Sequence, residues 1–154
     1  MAVKKRRRVI FLDIDGVLNS ISRQNECKWE TDPHNVDVLN KIVKETGAVV
    51  VISSGWRFVY WLGEIRRFLL ENGVEADIVD VVSPFLENKG DAVEAWLMRH
   101  TKDVDSYVIL DDCSFLFHEE QLDKLVETDY RVGLMMSDAQ KAISMLSAST
   151  GLVG

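Results

Sequence analysis

Three short stretches of this chain carry side chains able to do chemistry together. Asp13 and Asp15 stand two residues apart in Asp13-Ile14-Asp15-Gly16-Val17-Leu18-Asn19, directly after the apolar run Val9-Ile10-Phe11-Leu12. Two carboxylates close together repel unless a cation or a shared proton compensates them, so the pair invites a hard divalent ion such as magnesium. Gly16 lets the backbone turn sharply beside them. Asp111 and Asp112 likewise end the run Tyr107-Val108-Ile109-Leu110. Between these lies Ser53-Ser54-Gly55-Trp56-Arg57, where small hydroxyls before a glycine suit an oxyanion or phosphate cradle. Either Ser53 or Ser54 can be the main ligand there, and Arg57 can add a bidentate phosphate contact. Lys89, in Asn88-Lys89-Gly90-Asp91, can neutralise a phosphate or restrain a carboxylate. Taken singly, each has a plainer explanation: a helix cap, a loop start, a solvated lysine.

The elements that must position these groups alternate. Continuous apolar runs at 9–12, 48–52, 78–82 and 107–110 read as strands covered on both faces, with a weaker fifth at 124–127. Helical stripes fall between them: Val36, Leu39, Ile42 and Val43, stopped by Gly47; Trp61, Leu62, Ile65, Phe68 and Leu69, ended near Gly73; Ala92, Val93, Ala95, Trp96 and Leu97. Ser137 with Gln140 reads as a capping box before Ala142, Ile143, Met145 and Leu146. The pattern predicts an α/β doubly wound parallel sheet with helices on both faces. Ligands of such sheets sit beyond the carboxyl ends of the strands, where the acids, serines and lysine fall.

The four signatures, in the order DxD, Ser, Lys, DD, resemble those of the haloacid dehalogenase superfamily of phosphohydrolases. More narrowly, FLDIDGVLNS, VVVISSGWR, NKGDAVEAWL and YVILDD are similar to the small domains of this superfamily associated with RNA-repair proteins. The resemblance implies that Asp13 is the nucleophile, forming an aspartyl-phosphate. Asp15 would be general acid and then base. Magnesium would be held by Asp13, the backbone carbonyl of Asp15 and Asp111. Ser53 and the Ser54 N–H would hold phosphate, Lys89 would contact phosphate and Asp13, and Asp112 would orient water or a group behind the metal ligands. An acid at position 15 resembles phosphatases and phosphotransferases rather than dehalogenases.

Cap domains of this superfamily enter after the first motif or between the second and third. Neither gap here holds a full one, so an open site is expected. That suits a large substrate such as a nucleic-acid end, with Trp29, Trp56, Tyr60 and Trp61 as stacking candidates, although packing is their plainer role. A nucleotide-type small-molecule phosphatase is the alternative, and a silent binding domain the third reading. His34 and His118 read as structural or surface residues, and His100 as a helix end.

The chain has 154 residues and two cysteines, Cys27 and Cys113, far apart and outside any zinc spacing. They read as free thiols of a reducing, cytoplasmic compartment. No apolar run is long enough for a membrane span, and the basic start does not form a secretory signal. Net charge is −7, with Lys4, Lys5, Arg6, Arg7 and Arg8 clustered at the start. The division is therefore a basic arm over 1–8 and one domain over 9–154. The acidic body excludes a broad nucleic-acid surface, while the arm remains a possible phosphate contact.

Overall fold

A computed structural model describes residues 5–20 and 30–148. Lys4, Cys27 and Trp29 lie outside the described residues. Five strands form one parallel sheet: β1 (Arg7–Leu12), β2 (Val49–Ile52), β3 (Ile78–Val81), β4 (Val104–Asp111) and β5 (Leu125–Glu127), in the order β3-β2-β1-β4-β5. The chain adds β2 and β3 to one side of β1, then crosses back to lay β4 on the other. The strand order thus reverses at β1, the switch point at which such sheets bind ligands.

The connecting helices are α1 (Pro33–Thr46), α2 (Leu62–Glu71), α3 (Lys89–Arg99) and α4 (Met136–Ser147). Alternation along β1 sends Ile10 and Leu12 to one core and Val9 and Phe11 to another. The first core receives Leu39 and Ile42 of α1, Ile65 and Leu69 of α2, and Ala139, Ala142 and Leu146 of α4. The second receives Ala92, Val93 and Trp96 of α3. Helices therefore cover both faces, as the continuous apolar runs require. No separate cap domain stands among the described residues, and no helix among them is long and apolar enough to cross a membrane.

Local signals set the ends of the helices. Asp32 accepts the His34 N–H, Pro33 opens α1, and Gly47 closes it at φ 70°. Two expectations need correction. Arg7 and Arg8 are not part of an arm but pair with β4, and the Arg8 guanidinium donates to the Thr46 carbonyl. The capping box of α4 is not Ser137 with Gln140. The Asp138 carboxylate instead accepts the Met135 N–H at 2.9 Å, so the helix starts at Met136 and Ser137 is already inside it.

The second core has one helix over it, so its aromatic centre should be sensitive. Phe11 is fully buried, edge-on to Trp96 and Tyr107 at 5.4 and 5.8 Å. Phe11→Ala is expected to cost about 3–5 kcal/mol of stability, measured by urea denaturation.

Candidate active site

The sheet ladder fixes the site. Asp13 is the first residue beyond β1, and its N–H donates to the Leu110 carbonyl at 3.0 Å. Ser53, the first beyond β2, donates to the Leu12 carbonyl at 3.0 Å. Asp111 ends β4, and its carbonyl accepts the Thr128 N–H. Asn88 caps α3 by accepting the Asp91 N–H, which makes Lys89 the first helical residue. Gly90 lies so close to Leu116, His118 and Gln121 that a Cβ there would touch all three, which lets this helix end pack against the segment between β4 and β5.

Lys89 is where these strand ends meet. Its ammonium lies 3.1 Å from Asp13 Oδ1 and 2.8 Å from Asp111 Oδ2. All three side chains are largely buried. The other Asp111 oxygen accepts the Cys113 N–H at 3.0 Å. Burial, then the Asp111 charge, pushes the Asp13 carboxyl up from 3.8 to about 7, against the pull of Lys89. Burial also raises Asp111, again against Lys89. Burial alone would lower the Lys89 pKa, but Asp13 and Asp111 outweigh it and the net shift is upward.

Asp112 belongs to the same cluster. One carboxylate oxygen each from Asp13, Asp111 and Asp112 lies within 4.8 Å of the other two. Gly16, at φ 83°, turns against Asp112 so closely that a Cβ would run into its carboxylate. Three carboxyl groups face the single Lys89 ammonium, and hard carboxylate oxygens are the donors that a divalent cation takes. The donor set therefore fits such an ion, with Asp112 beside Asp13 and Asp111. The Asp15 carboxylate is outside this group.

Asp15 is exposed and held by two donors. The Trp56 indole N–H donates to Oδ2 at 3.0 Å, and Asn19 Nδ2 donates to Oδ1 at 3.1 Å. Asn19 Oδ1 in turn accepts the Gly16 N–H at 3.0 Å. Thr128 Oγ1 donates to the Gly16 carbonyl at 2.8 Å, tying the turn to the end of β5.

The two serines separate. Ser54 Oγ accepts the Trp56 N–H at 3.1 Å and caps the 3-10 turn Gly55–Phe58. Ser53 Oγ is buried and has no hydrogen-bond partner among the described residues. Arg57 corrects the expectation of a bidentate phosphate contact. Its Nε donates to Ser83, Nη1 to Ser53 and Ser54, and Nη2 to Leu86 and Glu87, all at backbone carbonyls. A guanidinium has five N–H groups, and five carbonyls use them. Arg57 is a buried clamp between the loop after β2 and the loop before α3; toward Asp13 it offers charge rather than a hydrogen bond.

Of the stacking candidates, Trp56 packs on Tyr60 and Phe68 with ring centroids 5.5 and 4.8 Å away, whereas Trp61 is 82% exposed. Phe58, Phe85 and Phe115, in the segments that follow β2, β3 and β4, are exposed too and were not expected. Asp91, Glu94 and His118 form a second acid–histidine group on α3 and the segment after β4, already paired among themselves. A cavity of about 860 Å³ between α3 and β4 contains none of the candidate site residues.

Residues 9–139 match the family described as the HAD domain in Swiss Army Knife RNA repair proteins. The match spans most of the chain, so the chain belongs to that family. Membership supports a phosphohydrolase of the haloacid dehalogenase type. No curated protein and no solved structure matches the chain.

Two outcomes follow. Asp13 and Asp111 bind protons more tightly folded than unfolded, so without metal the fold loses stability as pH rises from about 4 to about 7. Thermal unfolding in EDTA should show this decline, and millimolar magnesium at neutral pH should reverse it. Arg57→Lys keeps the charge but has three donors for five carbonyls, and is expected to cost about 2–4 kcal/mol in chemical denaturation.

Proposed function

We propose that the protein is a magnesium-dependent phosphomonoester hydrolase that works through an aspartyl-phosphate on Asp13, with a polynucleotide end as substrate. One arrangement carries the reading: a buried carboxylate and a second acid share one ammonium beside an unpartnered buried hydroxyl. That is a nucleophile next to a cradle for a tetrahedral anion.

In this reading the Asp13 carboxylate attacks phosphorus in line. The ester P–O bond breaks, its electron pair stays on the leaving oxygen, and Asp15 supplies the proton. Asp15 then takes a proton from water, which attacks the aspartyl-phosphate and frees Asp13 and inorganic phosphate. Ser53 Oγ and the Ser54 N–H hold phosphoryl oxygens, and Ser53 is favoured over Ser54 because its hydroxyl has no other partner. Lys89 favours the ionised form of Asp13 against burial, orients it, and contacts the phosphate. Asp13, Asp111 and Asp112, with the Asp15 carbonyl, would hold magnesium, which supplies charge neutralisation at the phosphoryl group. Arg57 is left out of the phosphate contacts.

The absence of a cap among the described residues supports a large leaving group. So do the exposed Phe58, Trp61, Phe85 and Phe115 in the segments that follow β2, β3 and β4, which offer faces for unstacked bases. The description of the family as RNA-repair domains agrees with that choice.

The test is phosphate release with magnesium or EDTA from an aryl phosphate, nucleoside monophosphates and 3′- and 5′-phosphorylated oligonucleotides. Release is expected only with magnesium, fastest from an oligonucleotide, and reduced about a thousandfold or more by Asp13→Asn. Preference for a mononucleotide would favour the small-molecule alternative. Release equal to the Asp13→Asn background on every substrate would count against catalysis.

A further inference from the structure

We infer that Trp56 is a positioning residue for proton transfer: its indole N–H, with Asn19, fixes the Asp15 carboxyl group toward the leaving oxygen. This rests on the phosphohydrolase reading and names a device within it.

The geometry has three parts. Trp56 Nε1 meets Asp15 Oδ2 at 3.0 Å and Asn19 Nδ2 meets Oδ1 at 3.1 Å, so one donor sits on each carboxylate oxygen. A carboxylate oxygen has two lone pairs, so each keeps one free to carry a proton while the donors fix the plane of the group. The indole is itself held by tilted contacts with Tyr60 and Phe68. The Ser54 hydroxyl accepts the Trp56 backbone N–H, so the residue that caps the cradle turn also sets the indole. Asn19 is anchored by the Gly16 N–H of the same acidic turn. Asp15 is exposed, and without these donors its side chain would be free to rotate into solvent.

The donors also act on the chemistry. As the ester bond breaks, the leaving oxygen gains the electron pair and takes the proton from Asp15, which becomes an anion. Hydrogen bonds to a carboxylate are stronger than those to a neutral acid, so both contacts tighten as the proton departs. That is stabilisation of the transition state rather than of the bound substrate.

The leaving group provides the test. A nitrophenolate needs no proton to depart, while an alkoxide does. The measured quantity is kcat/KM with magnesium, which stops at formation of the aspartyl-phosphate, for a nitrophenyl phosphate and for an alkyl phosphate. Trp56→Phe keeps a ring on Tyr60 and Phe68 and removes the N–H. Its kcat/KM for the alkyl ester is expected to fall about tenfold or more relative to that for the aryl ester. Both values come from one preparation, so their ratio does not depend on the fraction folded. A second measurement needs no turnover. The Trp56 indole proton, assigned by its loss in Trp56→Phe, should resonate downfield in the NMR spectrum and move upfield in Asp15→Asn. Equal loss on both esters with an active wild type, or an indole proton unmoved by Asp15→Asn, overturns the role of Trp56 alone. A wild type that cleaves neither ester, nor a 3′- or 5′-phosphorylated oligonucleotide used as the alkyl ester, overturns the hydrolase reading and this one with it.

Discussion

The Lys89 ammonium between Asp13 and Asp111 organises the rest of the structure. Two buried carboxylates on neighbouring strands repel, and each loses hydration by being there. The ammonium offsets part of that cost only if it stands between them, which fixes where α3 begins. The cap at Asn88 starts the helix at Lys89, and the bare backbone at Gly90 packs its first turn against the segment between β4 and β5. With Asp112 counted, three carboxyl groups face one ammonium, a donor set that a divalent cation could complete.

Much of this was legible in the sequence for a simple reason. A strand covered on both faces is written as a continuous apolar run, so its end is visible as the first polar residue. In a parallel sheet all such ends lie on one edge. Asp13, Ser53 and Asp111 could therefore be placed on that edge from their positions after 12, 52 and 110, and the ladder bonds from Asp13 and Ser53 to Leu110 and Leu12 show why. The start of α3 was less so: the apolar stripe begins at Ala92, whereas the Asn88 cap makes Lys89 the first helical residue.

What was not legible involved partners with no sequence signature. Arg57 finds five backbone carbonyls, and a carbonyl looks alike at every residue, so an arginine near a phosphate cradle reads as a phosphate ligand. The indole N–H of Trp56 is one polar atom on a side chain that otherwise counts as apolar, and its partner Asp15 is 41 residues away. Asp112 joined the acidic group because Gly16 turns against it, a closeness that spacing does not encode. The start of α4 was misplaced because Met135 has no capping oxygen of its own and only the reciprocal bond from Asp138 marks the end.

The first strand also separates charge. Its amino end carries Arg7 and Arg8, preceded by Lys5 and Arg6, while the acids gather past its carboxyl end. Six residues of strand span about 20 Å, roughly two screening lengths at 0.1 M salt. In physiological salt, charges at the two ends scarcely sense each other, and Asp103 and Asp105 flank the β4 partner of Arg7, so acids also stand at the basic end. For the proposed substrate, capture would therefore depend on contacts of a few ångströms at the acidic end: a counter-ion, the Ser53 hydroxyl and the aromatic faces around it.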